Sequence, residues 1–149
     1  MLIVDYQSKS YHRFLSDMLQ IANHKTRFLI TFNGANAEQL IAAATDLASH
    51  TNNKIKQSSA INDKASEIEV GELFAGARNS RDILIFESSE LLFDKKTAVK
   101  NSHERDNGFD LNNLFKNIAK HNGIVVLANS KKQTLSASMS TKMDVVIRF

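Results

Sequence analysis

The sequence predicts a parallel α/β sandwich, with helices on both faces of a mostly parallel, five-stranded sheet. One observation is that the strand-like runs Phe28–Phe32 (FLITF), Ile83–Phe86 (ILIF) and Ile124–Leu127 (IVVL) are almost continuously apolar. Strands of that kind are buried on both faces, as in parallel sheets covered by helices. A second is that apolar residues recur at helical spacing in the segments between those runs. The third is the alternation itself, since strand–helix–strand units need right-handed crossovers that lay helices against the sheet in layers. No internal repeat, low-complexity tract or Gly/Ser/Pro linker divides the 149 residues, so a single domain over 1–149 is expected.

The elements follow in order. Residues 1–26 read as an N-terminal extension carrying an amphipathic helix over 10–24, with Phe14, Met18, Ile21 and Ala22 on one face. The strand Phe28–Phe32 ends at the turn residues Asn33 and Gly34. From Asn36 a helix begins in which Leu40, Ala44, Leu47 and Ala48 share a side. Lys54–Gln57 is short and polar, the doubtful member of the five strands. Val70, Leu73, Phe74 and Ala77 form the next helical stripe, and the strand Ile83–Phe86 follows a charged break at Arg81 and Asp82. Residues 94–108, rich in charge and without a period, read as a mobile loop. Leu111, Leu114, Phe115, Ile118 and Ala119 then build a helix face, Gly123 opens the strand Ile124–Leu127, and Val145–Ile147 supplies the last strand.

Composition narrows the classes of function. Cysteine is absent, which excludes disulfides, thiol nucleophiles and thiolate metal sites. The histidines His12, His24, His50, His103 and His121 show no paired ligand spacing, so no metal site is expected. No apolar stretch approaches the roughly 20 residues of a membrane helix, and the opening Met-Leu-Ile-Val-Asp lacks the basic and apolar regions of a secretory signal. A cytoplasmic protein with no membrane association is the expectation. The formal charge of +3 hides an asymmetry: residues 111–149 hold six basic residues and one acid, Asp144. Such a patch would suit nucleic acid or an acidic protein face, but Lys116, Lys120, Lys131 and Lys132 have almost no aromatic residues around them for base stacking.

Residues 72–106, "ELFAGARNSRDILIFESSELLFDKKTAVKNSHERD", resemble the middle of an AAA+ ATPase module, where a helix ending in Leu-Phe-x-x-Ala precedes the Walker B strand. Residues 110–149 resemble the helix, sensor-1 strand and final strand of the same module, in the same spacing. With the strand, turn and helix at 27–48 in the Walker A place, the resemblance covers roughly residues 27–149 and implies a P-loop NTPase-like fold. A receiver-like doubly wound sheet is the alternative, because "MLIVDYQSKSYHRFLSDMLQ" is similar to the opening of a response-regulator receiver, although Asp5 alone of its acid pair is present.

The resemblance implies sites that the sequence then fails to fill. A working phosphate loop uses backbone N–H groups, a lysine on the β and γ charges and a Ser/Thr hydroxyl on Mg²⁺. The matching positions here are Phe32, Ala35, Ala37, Glu38 and Gln39, with Gly34 and Asn36 in the turn between. An anion in the lysine place removes a contact of ~2 to 4 kcal/mol and adds a repulsion of about 1 kcal/mol. The Walker B acid pair falls on Glu87 and Ser88, and a serine without a base polarises water poorly. The sensor-1 position falls on Ser130, next to Asn129. Arginine fingers would fall at Thr141 and Lys142, where a lysine lacks the planar fork. The pore-loop aromatic would fall near Asn62 and Asp63, and the chain ends at Phe149 without the helical lid.

These replacements, set against intact apolar stripes, imply a catalytically inactive AAA+-like module that works through protein–protein contact, as a regulator or scaffold beside an active ATPase or within a larger assembly. Gly34, Asn36, Glu38, Gln39, Glu87, Ser88 and Ser130 are then vestigial nucleotide-site positions. His103, Arg105 and Lys142 are candidate partner contacts, no catalytic residue or metal is assigned, and no cofactor is expected unless binding of ATP and Mg²⁺ survives. The competing readings are an ATPase with weak residual binding through Glu87, Ser88 and Ser130, and a nucleic-acid-binding module using the basic C-terminal third. A monomer or loose dimer is expected.

Overall fold

The computed structural model of the chain describes residues 1–24, 27–58, 64–87, 111–135 and 137–149. Six strands form one sheet: β1 (Leu2–Asp5), β2 (Phe28–Asn33), β3 (Ile55–Ser58), β4 (Ile83–Phe86), β5 (Ile124–Asn129) and β6 (Val145–Arg148). Among the described residues, five helices alternate with them: α1 (Lys9–His24), α2 (Ala37–Thr51), α3 (Lys64–Gly76), α4 (Leu111–Lys120) and the single turn α5 (Ala137–Ser140). The strand order is β1-β6-β2-β5-β4-β3, and every pairing is parallel. That order departs from the 2-1-3-4-5 arrangement of flavodoxin-like sheets, so the receiver-like alternative is set aside.

The sheet has one more strand than the five expected. Leu2–Asp5 is too short and too exposed to signal itself by pattern, yet it pairs in register with Val145–Arg148. Residues 1–24 are therefore built into the domain: β1 is a sheet edge and α1 covers one face. The pairing is secured by backbone bonds from Leu2 N to Asp144 O (3.0 Å) and from Tyr6 N to Arg148 O (2.8 Å). Arg148 adds a two-pronged ion pair to Asp5, at 2.8 and 3.2 Å. The doubtful polar strand is real as β3, on the opposite edge, where one flank needs no partner strand.

Two apolar layers result, because alternate residues of a buried strand point to opposite faces. On one face, Tyr11, Phe14, Leu15 and Met18 of α1 and Leu40, Ala43, Ala44 and Leu47 of α2 pack on Ile30, Phe32, Ile85 and Val126. On the other, Val70 and Phe74 of α3, Leu114 and Ile118 of α4, and Met139 and Met143 cover Leu29, Leu84, Phe86, Val125 and Leu127. Each of these large side chains contributes about 1.5–3 kcal/mol by leaving water, and it is the helical spacing that brings them to one stripe. Local signals set the helix ends. The Ser8 hydroxyl accepts from Tyr11 N at 3.2 Å and so caps α1, while Asn52, at φ 58°, closes α2 in the left-handed region.

Candidate functional site

The carboxyl ends of β2 and β5 are where the strand order reverses, the position at which open α/β sheets take ligands. Here the chain leaves β2 through Gly34, Ala35 and Asn36 and enters α2. Gly34 adopts φ 87°, a left-handed turn that only glycine accepts cheaply.

The amides of that turn are directed inward. Gly34 N and Ala35 N both donate to the carbonyl of Asn129, at 2.8 and 3.1 Å. Asn36 N donates to Gln39 Oε1 at 3.0 Å, and Gln39 N donates back to Asn36 Oδ1 at 2.8 Å. This reciprocal capping box satisfies first-turn donors that a helix N-terminus otherwise offers to an anion. Ala37 and Glu38 keep the remaining first-turn amides. Glu38 is exposed in that turn, where a carboxylate favours the positive end of the helix dipole.

A second set of bonds ties the turn to the loop after β5. Asn33 stands in register with Asn129 across the β2–β5 pair. Its Nδ2 donates to Gln133 O at 2.8 Å, and Gln133 N donates to its Oδ1 at 3.0 Å. Lys132 lies across the glycine, with its Cγ 2.5 Å from where a Cβ on Gly34 would stand. Beneath the turn an aromatic group fills the space. The Phe32 and Phe149 rings meet at 5.5 Å, Phe149 and Tyr6 at 4.5 Å, and Tyr6 and Tyr11 at 5.0 Å. The Tyr11 hydroxyl donates to Asp46 Oδ2 at 2.7 Å, and burial together with that carboxylate raises its pKa far above the usual phenol range.

The structure separates the other positions read from sequence. Glu87, just after β4, accepts from Gln57 Nε2 at 2.6 Å and so leans toward edge strand β3. With β5 between β4 and β2, it lies about 10 Å to the side of the turn. Ser130 is exposed, whereas its neighbour Asn129 is buried in the β5 terminus, with Oδ1 accepting from Lys131 N at 3.2 Å and Nδ2 lacking a partner in the described structure. Thr141 and Lys142 precede β6 and therefore sit at the opposite end of the parallel sheet from Gly34. The Lys142 ammonium lies 5.2 Å from the centre of the Phe115 ring on α4, a cation–π contact that engages this expected partner residue within the chain. Ser88, His103, Arg105, Asn62, Asp63 and the 94–108 segment lie outside the described residues.

Asn33, Lys132 and Gln133 close the turn; the sequence marked Asn33 as a turn residue but not its bonds to Gln133 or the place of Lys132. Two asparagines ending apolar strands, at 33 and 129, were the available signal; the register that pairs them was not.

At the amino end of the strands, His121 is buried beneath α4. Its Nε2–H donates to Asp82 O at 2.8 Å, its ring meets Phe74 edge-on, and its Nδ1 has no partner among the described residues. Burial lowers its pKa, against a smaller opposing effect of Asp82. Among the described residues no group of three or more His, Cys, Asp or Glu is placed to hold a metal, and no helix is long and apolar enough to cross a membrane.

Solved structures share this arrangement of strands and helices. Thermotoga maritima RuvB, a Holliday junction branch migration motor, matches with a TM-score of 0.61 and 14% identity, over 95% of this chain and 45% of that one. A variant of the same motor matches at 0.58 and 15%, with the same coverage. A chain of the E. coli MS115-1 HORMA:CdnC:Trip13 complex matches at 0.56 and 12%, over 98% of this chain and 63% of that one. The chain has the AAA+ core fold. It spans less than half the length of the RuvB chains it matches. No family profile matches the sequence, and no curated protein does.

Proposed function

We propose that this chain is a catalytically inactive AAA+-like module that acts by protein–protein contact, as a regulator or scaffold beside an active ATPase or within a larger assembly. The observation that carries this reading is the closed turn. A phosphate loop works by aiming several backbone N–H groups at one anion. At the corresponding place here, Gly34 and Ala35 donate to Asn129 O and Asn36 donates to Gln39. Glu38 occupies the lysine position, Lys132 lies over the glycine, and Glu87 is drawn to Gln57. A triphosphate in the usual pose would have to break the capping box and meet a carboxylate, so the module works without ATP or Mg²⁺.

The matched chain from the HORMA:CdnC:Trip13 complex belongs to a multi-protein assembly, which agrees with a partner-binding role. The nucleic-acid reading has less support, because the basic residues of the last third are split between the two ends of the sheet and have few aromatic neighbours for base stacking. Lys131 and Lys132 lie at the carboxyl end of the sheet, Lys116 and Lys120 are on α4, and Lys142 is near the amino end. Isothermal titration with Mg·ATP is the test: no heat of binding at millimolar nucleotide is expected, and micromolar affinity would overturn the proposal.

A further inference from the structure

Helices α3 and α4 lie on the same face of the sheet. Each returns the chain from the carboxyl end of one parallel strand to the amino end of the next, so the two run in the same direction. Their charges are opposite. Lys64, Glu67, Glu69 and Glu72 leave α3 with one base and three acids, a net −2, while α4 has Lys116, Lys120 and no acid, a net +2. Lys142, over the Phe115 ring, adds a third cation beside α4. Glu67 and Glu69 have further contacts within the chain. Glu72, Lys116 and Lys120 are exposed and have no ion-pair partner among the described residues. On the same face of α3, Ile68 is 69% exposed, more than any other large apolar side chain described, and Ala75, two turns further along that face, is exposed as well.

We infer that this face pairs with a second copy of the chain, about a two-fold axis that runs parallel to the helices and midway between them. Such an axis sets α3 of each copy against α4 of the other, so both halves of the interface match opposite charges, as isologous pairing requires. It also preserves height along the helices. Glu72 lies four residues before the end of α3 at Gly76, and Lys116 lies four residues before the end of α4 at Lys120. Both stand on the exposed sides of their helices, so this pairing sets the Glu72 carboxylate of each copy toward the Lys116 ammonium of the other, twice per dimer, and covers Ile68.

Helices of 13 and 10 residues are about 20 and 15 Å long. Set side by side at about 10 Å, they offer a patch of about 350 Å² on each copy, about 700 Å² in all, which is smaller than standard interfaces and suits only a weak, transient pairing. A weak dimer whose pairing depends on salt follows. This inference goes beyond the proposed function and does not depend on it, since nucleotide titration does not report on it.

Sedimentation equilibrium of the chain tests the dimer. At low salt the wild-type chain is expected to dimerise at concentrations of about 0.1–0.5 mM, with about tenfold weaker pairing at high salt. Glu72→Lys alone and Lys116→Glu alone each place like charges at both contacts and should be monomeric, with unchanged circular dichroism. Mixed in equal amounts, these two variants should regain a dimer, because each now carries the charge the other lacks. A wild-type chain that stays monomeric at about 0.5 mM in low salt overturns the inference. So do dimers of undiminished strength in both variants, and so does a mixture of folded variants that remains monomeric.

Discussion

Replacing Asn33 with alanine tests whether the turn after β2 is held shut by side chains or merely ends there. The substitution removes two hydrogen bonds at once, from Nδ2 to Gln133 O at 2.8 Å and from Gln133 N to Oδ1 at 3.0 Å. Each is part-buried, so each is worth about 1 kcal/mol net, and the backbone groups left behind on Gln133 add a desolvation penalty of similar size. A total loss of about 2–3 kcal/mol is expected, which for a domain of this size lowers Tm by about 5–10 °C. Asn33→Asp keeps an acceptor for Gln133 N but sets a carboxylate against Gln133 O, so it should recover little. Urea titration followed by circular dichroism gives the free energy, and a melt gives the Tm shift. An Asn33→Ala variant within about 0.5 kcal/mol of wild type, the range of ordinary surface changes, would refute the idea that this pair latches the β5–α5 loop to the turn.

Other perturbations follow from the same geometry. Gly34→Ala forces a Cβ into φ 87° and against Lys132; the left-handed strain should cost about 1–2 kcal/mol. In a Lys132→Ala background the clash is gone but the strain remains, so a double-mutant cycle should show most of the cost persisting. Glu38→Lys places a cation at the positive end of the α2 dipole and should lower stability by about 0.5–1 kcal/mol, read as a melting shift with no recovery on adding Mg·ATP. His121 has a folded pKa below its unfolded value of 6.5, so the unfolded chain binds the extra proton first. Its contribution to stability is full above about pH 6.5 and is lost as pH falls from there toward the folded pKa. His121→Gln should flatten that part of the stability–pH curve, measured by urea titration between about pH 4.5 and 7.5.

Sequence patterning carried the layers well and the edges poorly. The strands β2, β4 and β5 announce themselves because burial on both faces demands unbroken apolar runs, and α1, α2 and α4 because one face must meet the sheet. β1 escaped because three of its four residues are exposed, so neither period applies to it. At the candidate site, Gly34 and Asn36 were legible as turn and cap from local chemistry, and the structure adds the capping box with Gln39. Asn129, Lys132 and Gln133 were not, since their meeting with the turn depends on the register between strands about a hundred residues apart. Ser130 drew attention in place of Asn129 because spacing cannot say which of two neighbouring polar residues turns inward at a strand end. The contact between Lys142 and the Phe115 ring was not legible for a comparable reason: nothing local places that ring beneath it.

The position of β6 has a consequence for how the domain is made. It lies between β1 and β2, so edge strand β1 pairs with a strand that follows it by about 140 residues. During synthesis the β2–β5 pair and the helices over it are free to form early, but β1 stays without a ladder and one flank of β2 stays open until residues 145–148 arrive. Contacts of such long sequence separation close late and slow folding. Because β1 and β6 meet as neighbouring strands, neither can peel away without disturbing the other.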